Sequence, residues 1–484
     1  MPLAGALATL DDWCNPIAVK ELRQAVQSKF IPGLLMLCLV GQLVAMASVV
    51  LTIDETEASF DAGRRVFLIL FGILVGACTL FVPAYCAGRL IGERSGGKID
   101  LLFVSTLRPG TIVWGKLCSG LAISVLLFSA CMPFLVFTTL LRGIDIPSIF
   151  VLLVNGFLAS AVAIQLALFV GAVPASRPVK AVLGLFSALV ALWLLGGIMS
   201  STLGFLFFGV GSSVVSGQFW VVFFPAALLV LGVLGHLFVW TVALLSPRSS
   251  NRALPVRVFS TIAWFVTGVV CLVARLFYPY DVLTGFWAFL SLCAFCVGLF
   301  IAVCEREEPG RRVARTIPAG GWRRALAFLF YSGAAGGVAW ACVMIFLTVF
   351  AFVVISNFPP GVGGRVVGVM VGMGAGAFAC AMTALLIRRA ARPAFKPEYT
   401  WMVALSFAVV SLFVLSGIGP GGCLALILVW AIFVGCGSLR WFTERVHGFR
   451  RPGEAPARPP IASTEPPPEP PRTSQLDHTT EETL

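Results

Sequence analysis

The sequence predicts an all-α integral membrane protein of about twelve transmembrane helices, on three observations: scarce charge, long unbroken apolar runs, and a lopsided placement of basic residues. Only 12% of the 484 residues are charged and 59% are hydrophobic, with a mean hydropathy of +0.97. Soluble domains carry about 25% charged residues, so this composition calls for lipid as solvent. Runs near the roughly 20 apolar residues that cross a bilayer fall at 31–53, 66–86, 117–140, 148–173, 181–199, 219–245, 259–275, 286–303, 333–355, 366–387, 401–417 and 422–438. They are continuous rather than alternating, which indicates helices and not barrel strands.

The net charge of +12 invites a nucleic-acid reading, but its distribution argues against one. With the N-terminus inside and the spans numbered in order, 29 of the 34 basic residues fall in inner segments. Only Arg64, Arg65, Arg142, Arg275 and Arg365 fall outside. Basic residues are retained on the cytoplasmic side during insertion, so one span too many or too few would scramble this separation. The basicity is a topology signal; no nucleic-acid partner is expected, and both termini are expected in the cytoplasm. The opening MPLAGALATL lacks a basic region and runs into Asp11 and Asp12, so no cleaved signal peptide is expected. The 14 cysteines lie almost entirely within the spans, as small apolar residues do, and none falls in an outer loop. A disulfide framework is not expected. Cys293 and Cys296 form a C-x-x-C in mid-span and carry no metal reading.

Four regions follow: a lead-in at 1–30, six spans over 31–247, six more over 248–450, and a tail at 451–484. The tail is proline-rich (PGEAPARPPIASTEPPPEPPR at 452–472) and too poor in large apolar groups to bury a core, so it is expected to be disordered and cytoplasmic. In the lead-in, Asn15 suits an N-cap and Pro16 the first helical position. Val19, Leu22, Val26 and Phe30 then form an apolar stripe, with Lys20, Arg23, Gln24 and Gln27 away from it. This pattern predicts an amphipathic helix lying on the membrane surface. No Asp, Glu, Lys or Arg occurs between Lys180 and Arg248, a stretch too long for two spans. Its surplus, about 200–216, is expected to be a partly re-entrant outer element. Gly364, Gly368, Gly372 and Gly376 repeat every fourth position and predict close helix packing, within the chain rather than between subunits.

Catalytic motifs are scarce. Gly92–Lys98 and Gly110–Lys116 both read G-x-x-x-x-G-K, but Ile99 and Leu117 stand where a phosphate loop needs Ser or Thr. The chain is therefore expected to carry no ATPase, no cofactor and no catalytic residue of its own. The spans hold no carboxylate pair of the kind an ion-coupled carrier keeps at mid-membrane. His236, Gln42, Asn155 and Gln165 read as hydrogen-bonding partners between neighbouring helices. Energy for transport would then enter from the inner side. The segment 88–116 between the second and third spans suits that role. Gly96 and Gly97 break the chain there, Ile99, Leu102, Phe103 and Leu107 give one apolar face to a short helix, and Pro109 and Gly110 end it.

At these residues the sequence resembles a known family. N-P-x-x-x-K-E-L-R at 15–23, E-R-x-x-G-K-I-D-L-L at 93–102 and T-L-R-P-G-x-I-V-x-G-K at 106–116 look like the permease subunits of ABC-2-type transporters. The resemblance covers about half the chain, to about residue 247, and the second six spans depart from that family's core. It implies an elbow helix bearing Asn15, Pro16, Lys20, Glu21 and Arg23. It also implies an ATPase-coupling element bearing Glu93, Arg94, Lys98, Asp100, Leu101, Leu102, Phe103, Arg108 and Lys116. Further implications are a homodimer or heterodimer with another permease, membrane lipids around it, a separate ABC ATPase holding ATP and magnesium, and export across a bacterial inner membrane. A secondary carrier or channel acting alone is the alternative, with a membrane-bound enzyme third.

Overall fold

The computed structural model describes residues 15–52, 60–95, 108–141, 144–173, 177–207, 214, 216–247, 250–277, 281–307, 309–356, 360–391 and 420–451, with 400, 403–404 and 406–408 between the last two. Among them the regular structure is helical, with no strand. A short first helix, α1 (Pro16–Gln27), leads into α2 (Phe30–Thr52). The next crossing is composite: α3 (Phe60–Gly76), a π-helical turn (Ala77–Phe81) and α4 (Val82–Ser95). The wide turn has a local cause. Pro83 has no N–H to give to Thr79, and its ring crowds that carbonyl. The chain instead bonds Val82 N–H to Ala77 O, five residues back. The first set is completed by α5 (Pro109–Phe137), α6 (Ile146–Ala172), α7 (Arg177–Phe207) and α8 (Gly217–Leu245). The second set comprises α9 (Ala253–Phe277), α10 (Asp281–Cys304), the short α11 (Arg311–Arg315) and α12 (Gly321–Phe330), then α13 (Ala334–Ile355), α14 (Pro360–Ala390) and α15 (Pro420–Gly448).

Eleven crossings among the described residues are long and apolar enough to span a membrane. They coincide with eleven of the expected runs and mostly extend beyond them, because helices continue past the hydrocarbon edge. The remaining expected span, 401–417, lies largely outside the described residues. The Gly372 backbone faces Leu424, Gly376 faces Ile427, and Gly435 lies against Phe378, so α14 and α15 run parallel.

The first six crossings share one core. The helices α3–α4 and α6 are its centre, with 61% of the most apolar window buried, against 11% in α7 and α15. Phe67, Leu70, Phe71, Leu74, Ile149, Ile164 and Leu168 are fully enclosed there. The outward faces are apolar too: Leu185, Phe186, Leu189 and Trp193 of α7 are exposed, as lipid-facing residues are. A second core joins α10, α13, α14 and α15 through Phe295, Leu299, Met344, Leu385 and Trp441. Leu237 and Trp240 of α8 pack with Val162 of α6 and bring Val256 of α9 into contact, linking the two sets.

Several expectations change at the residue level. Residues 200–207 are the end of the continuous helix α7 and not part of a re-entrant element, since nothing after Ser200 interrupts the helical ladder. Most of 208–216 lies outside the described residues. Pro109 opens α5, at the N1 position where proline's missing N–H has no consequence, and the short helix expected before it lies outside the described residues. His236 Nδ1 meets Gly232 O of its own helix at 2.7 Å, not a neighbouring helix. Gln42 and Gln165 do bond across helices, to Leu70 O (3.3 Å) and Thr241 Oγ1 (3.0 Å). On the glycine ridge, Gly368, Gly372 and Gly376 face α15, while Gly364 meets open space.

Candidate functional site

The strongest polar feature is a cluster of charges where α1 lies against α4 and α5. Asn15 fixes the start of α1 twice. Its side-chain oxygen accepts from Ile17 N–H at 3.0 Å, and its amide donates to Thr111 O at 2.7 Å. The helix can lie this close because Gly115 has no side chain; a Cβ there would stand 2.9 Å from Ile17 Cβ. Ala18, Glu21 and Ala25 form the buried face, small residues on either side of one carboxylate.

Glu21 is 5% exposed and Lys116 4%. Lys116 Nζ lies 2.6 Å from Glu21 Oε1 and 2.8 Å from Glu93 Oε2. Arg89 Nε donates to the other oxygen of Glu21 at 3.1 Å, and its guanidinium also bonds the Gln24 side chain. Lys20 reaches Glu93 at 3.9 Å. Tyr85 supports Arg89 beneath, with Arg89 Cζ 5.9 Å from its ring, and stacks on Phe30 at 5.2 Å. Burial pushes the Glu21 carboxyl up, but Lys116 and Arg89 more than offset this and hold it below its ordinary value. One carboxylate on α1 therefore binds two cations on two different spanning helices. A displacement of α1 would pull on both.

The sequence-assigned residues separate into three groups. Asn15, Pro16, Glu21, Glu93 and Lys116 come together. Lys20, Arg23 and Arg108 stand exposed around them. Lys98, Asp100, Leu101, Leu102 and Phe103 lie outside the described residues, as does the side chain of Arg94. Glu93 and Lys116 were expected to offer their charges to a partner surface, but both turn inward and their charges are engaged within the chain. Buried charges need such pairing, because desolvation outweighs any distant attraction. The apolar stripe of α1 is offset from its packed face: Val26 is 68% exposed, and Val19 and Leu22 are half-buried. Sequence reasoning missed Arg89, Gln24 and Tyr85. Their one signal was Glu21, a lone acid between two alanines on the small-residue face of α1.

It also missed a second cluster, in the other set of helices. Arg257, 3% exposed, places Nη2 2.8 and 2.7 Å from the two oxygens of Glu305. Its Nη1 donates to Leu329 O (2.9 Å) and Tyr331 O (2.6 Å), carbonyls at the end of α12. Glu305 also accepts from Gly333 N–H at 2.7 Å. A Cβ on Gly337 would stand 2.5 Å from Arg257 Nη2, so the glycine start of α13 makes room for the guanidinium. Nearby, Glu307 joins Arg388, at 3.2 Å, to Arg445 of α15. Both clusters lie at one end of the bundle, the basic end. Leu90 packs on Gly171, Gln165 bonds Thr241, Arg252 bonds Ser246 O, and Asn251 accepts from Ser332 N–H and Oγ–H. That sequence of contacts runs from one cluster to the other.

No group of three or more metal-ligating side chains occurs among the described residues. Gly110–Lys116 occupies the first turns of α5 rather than a loop. The fold and the clusters define a multi-pass α-helical membrane protein with two buried ionic clusters at one end. No protein-family model, curated protein or solved structure matches the chain.

Proposed function

We propose that the chain is the permease subunit of an ATP-driven transporter of the ABC-2 type, an exporter seated in a bacterial inner membrane with the basic end and both termini in the cytoplasm. The observation that carries this reading is the attachment of Glu21 in α1 to Arg89 in α4 and Lys116 in α5. Those two helices bracket residues 96–107, and the family-like E-R-x-x-G-K-I-D-L-L motif begins at Glu93 in the last turn of α4 and runs into that segment. A separate ATPase docked on 96–107 and on the outer side of α1, where Lys20 and Arg23 are exposed, would move the ends of two spans together. The charges of Glu93 and Lys116 then act as internal linkage, while Lys98, Asp100, Leu101, Leu102, Phe103 and Arg108 supply the docking face. The low charge of the spans supports cargo entering from lipid, and supports an energy source on another subunit rather than an ion gradient.

The test is co-purification of the full chain with an ATPase encoded beside it, together with cargo-dependent ATP turnover. Phe103→Ala should weaken capture about thirtyfold, the effect of losing one buried interface anchor of about 2 kcal/mol, without changing membrane abundance. Reporter fusions after 394 and 420 should report inside and outside respectively. A purified chain that sustains flux without any ATPase, or full ATPase capture by Phe103→Ala, would overturn the reading.

A further inference from the structure

Between α10 and α13 the chain leaves the bundle at the basic end and folds as a small hairpin of α11 and α12. Residues 309–331 contain five arginines, Arg311, Arg312, Arg315, Arg323 and Arg324, and no carboxylate. The hairpin is anchored from inside. Val313, Ile317 and Ala327 are buried, and Phe328 meets Phe442 and Phe449 of the α15 end edge-on, at 6.0 and 5.4 Å. Tyr331 donates to Thr316 O at 3.3 Å, and Arg451 donates to Ile317 O. Arg257 grips the two carbonyls that end α12. The outer surface of this anchored hairpin is unlike a solvated one. Arg311, Arg312, Arg315 and Arg323 are exposed. Beside them Trp322 is 68% exposed and Leu326, one turn along the same face, is 45% exposed. The Arg323 guanidinium carbon lies 5.4 Å from the Trp322 ring.

We propose that α11 and α12 form a binding surface for anionic phospholipid headgroups, with arginines on the phosphates and Trp322 and Leu326 inserted between the lipids. Three observations select a bilayer over an acidic protein. Only residues 331–333 separate α12 from the membrane-spanning α13, a link of about 10 Å at full extension, so α12 stays near headgroup level. Trp is the side chain that favours the interface between water and hydrocarbon, and here it sits among cations. The carboxylates of Glu305 and Glu307 are already engaged by Arg257, Arg388 and Arg445, so the arginine charge projects outward. Arginine's planar fork suits phosphate oxygens, and an apolar face with basic flanks is the pattern of a helix lying in the interface.

The experiment is native mass spectrometry of the full chain, titrated with phosphatidylglycerol or phosphatidylcholine of equal chain length. Wild type should retain phosphatidylglycerol at least tenfold more tightly. Substituting Arg311, Arg312, Arg315 and Arg323 together by Gln should abolish that preference, and Trp322→Ala should reduce it about threefold. Arg65→Gln with Arg365→Gln, which removes two arginine charges expected at the opposite end, should leave it intact. The wild-type preference is itself a test that no folding defect can obscure: equal retention of the two lipids overturns the proposal. Undiminished preference in the fourfold variant overturns it too, as does displacement of the lipid by equimolar inorganic phosphate.

Discussion

The two charge clusters secure the same kind of object, a short amphipathic helix just before a spanning helix, with opposite chemistry. In the first set the anchor is carried by the helix itself: Glu21 projects from α1 to Lys116 and Arg89. In the second set it is carried by the bundle: Arg257 projects from α9 to carbonyls at the end of α12 and to Glu305. A side-chain anchor sits mid-helix and ties α1 to two helices at once. A backbone anchor holds only a helix end, and Arg323 of α12 remains exposed on the outer face. The first design suits transmission between parts, the second suits a fixed platform. Both obey one constraint, that a buried charge must be nearly fully partnered.

The Arg257 anchor should be the costlier of the two to remove. Arg257→Leu strands Glu305 and two carbonyls, so it should cost about 3–5 kcal/mol; a sharp fall in melting temperature and membrane abundance should result. Glu21→Gln leaves Lys116 one carboxylate, Glu93, and should cost about 2 kcal/mol. The additional change Lys116→Met should recover part of that loss, which a double-mutant cycle on thermal stability would measure. If Glu21→Gln proves the costlier single change, the ranking of the two anchors is wrong.

The Glu21 anchor should also respond to acid. The Glu21 carboxyl is depressed below its ordinary 4.5, so its stabilising contribution is complete above that value and is lost as pH falls through the lower folded value. Hydrogen exchange of α1 amides should therefore be flat between pH 8 and 6 after correction for intrinsic rates. Protection should drop below the ordinary carboxylate range, and Glu21→Gln should remove that dependence. The seat of α1 and the open end of the glycine ridge should respond differently. Gly115→Ala forces Ile17 to shift and should cost about 1–3 kcal/mol, read as faster exchange in α1. Gly364→Ala, whose Cβ would meet open space, should be neutral or stabilising by up to about 1 kcal/mol.

Much of the architecture was legible because membrane insertion is decided segment by segment. Apolar length and flanking arginines act locally, so eleven spans could be located without knowing their neighbours. The cap at Asn15 and Pro16 was legible for the same reason. The end of α7 was misjudged because glycines and serines do not by themselves break a helix already bonded along its length. Lys116 was misjudged because a lysine near a span end reads as an exposed topology marker whether or not a carboxylate waits beside it. The α11–α12 hairpin was counted only as inner charge, since ten residues of amphipathic helix are a weak pattern beside a 22-residue span.

The sequence alone thus determined the solvent, the helical class, the approximate crossings and the chemistry available at each end. Those properties depend on how each stretch of some twenty residues partitions between water and lipid. Only the tertiary structure decided that Glu21 meets Arg89 and Lys116, residues 68 and 95 positions away, and that Arg257 meets the end of α12. It also decided that α14 and α15 run parallel along a glycine ridge. Pairings of this kind have no local signature, because the free energy of a buried charge depends on which partner the packing brings within about 3 Å.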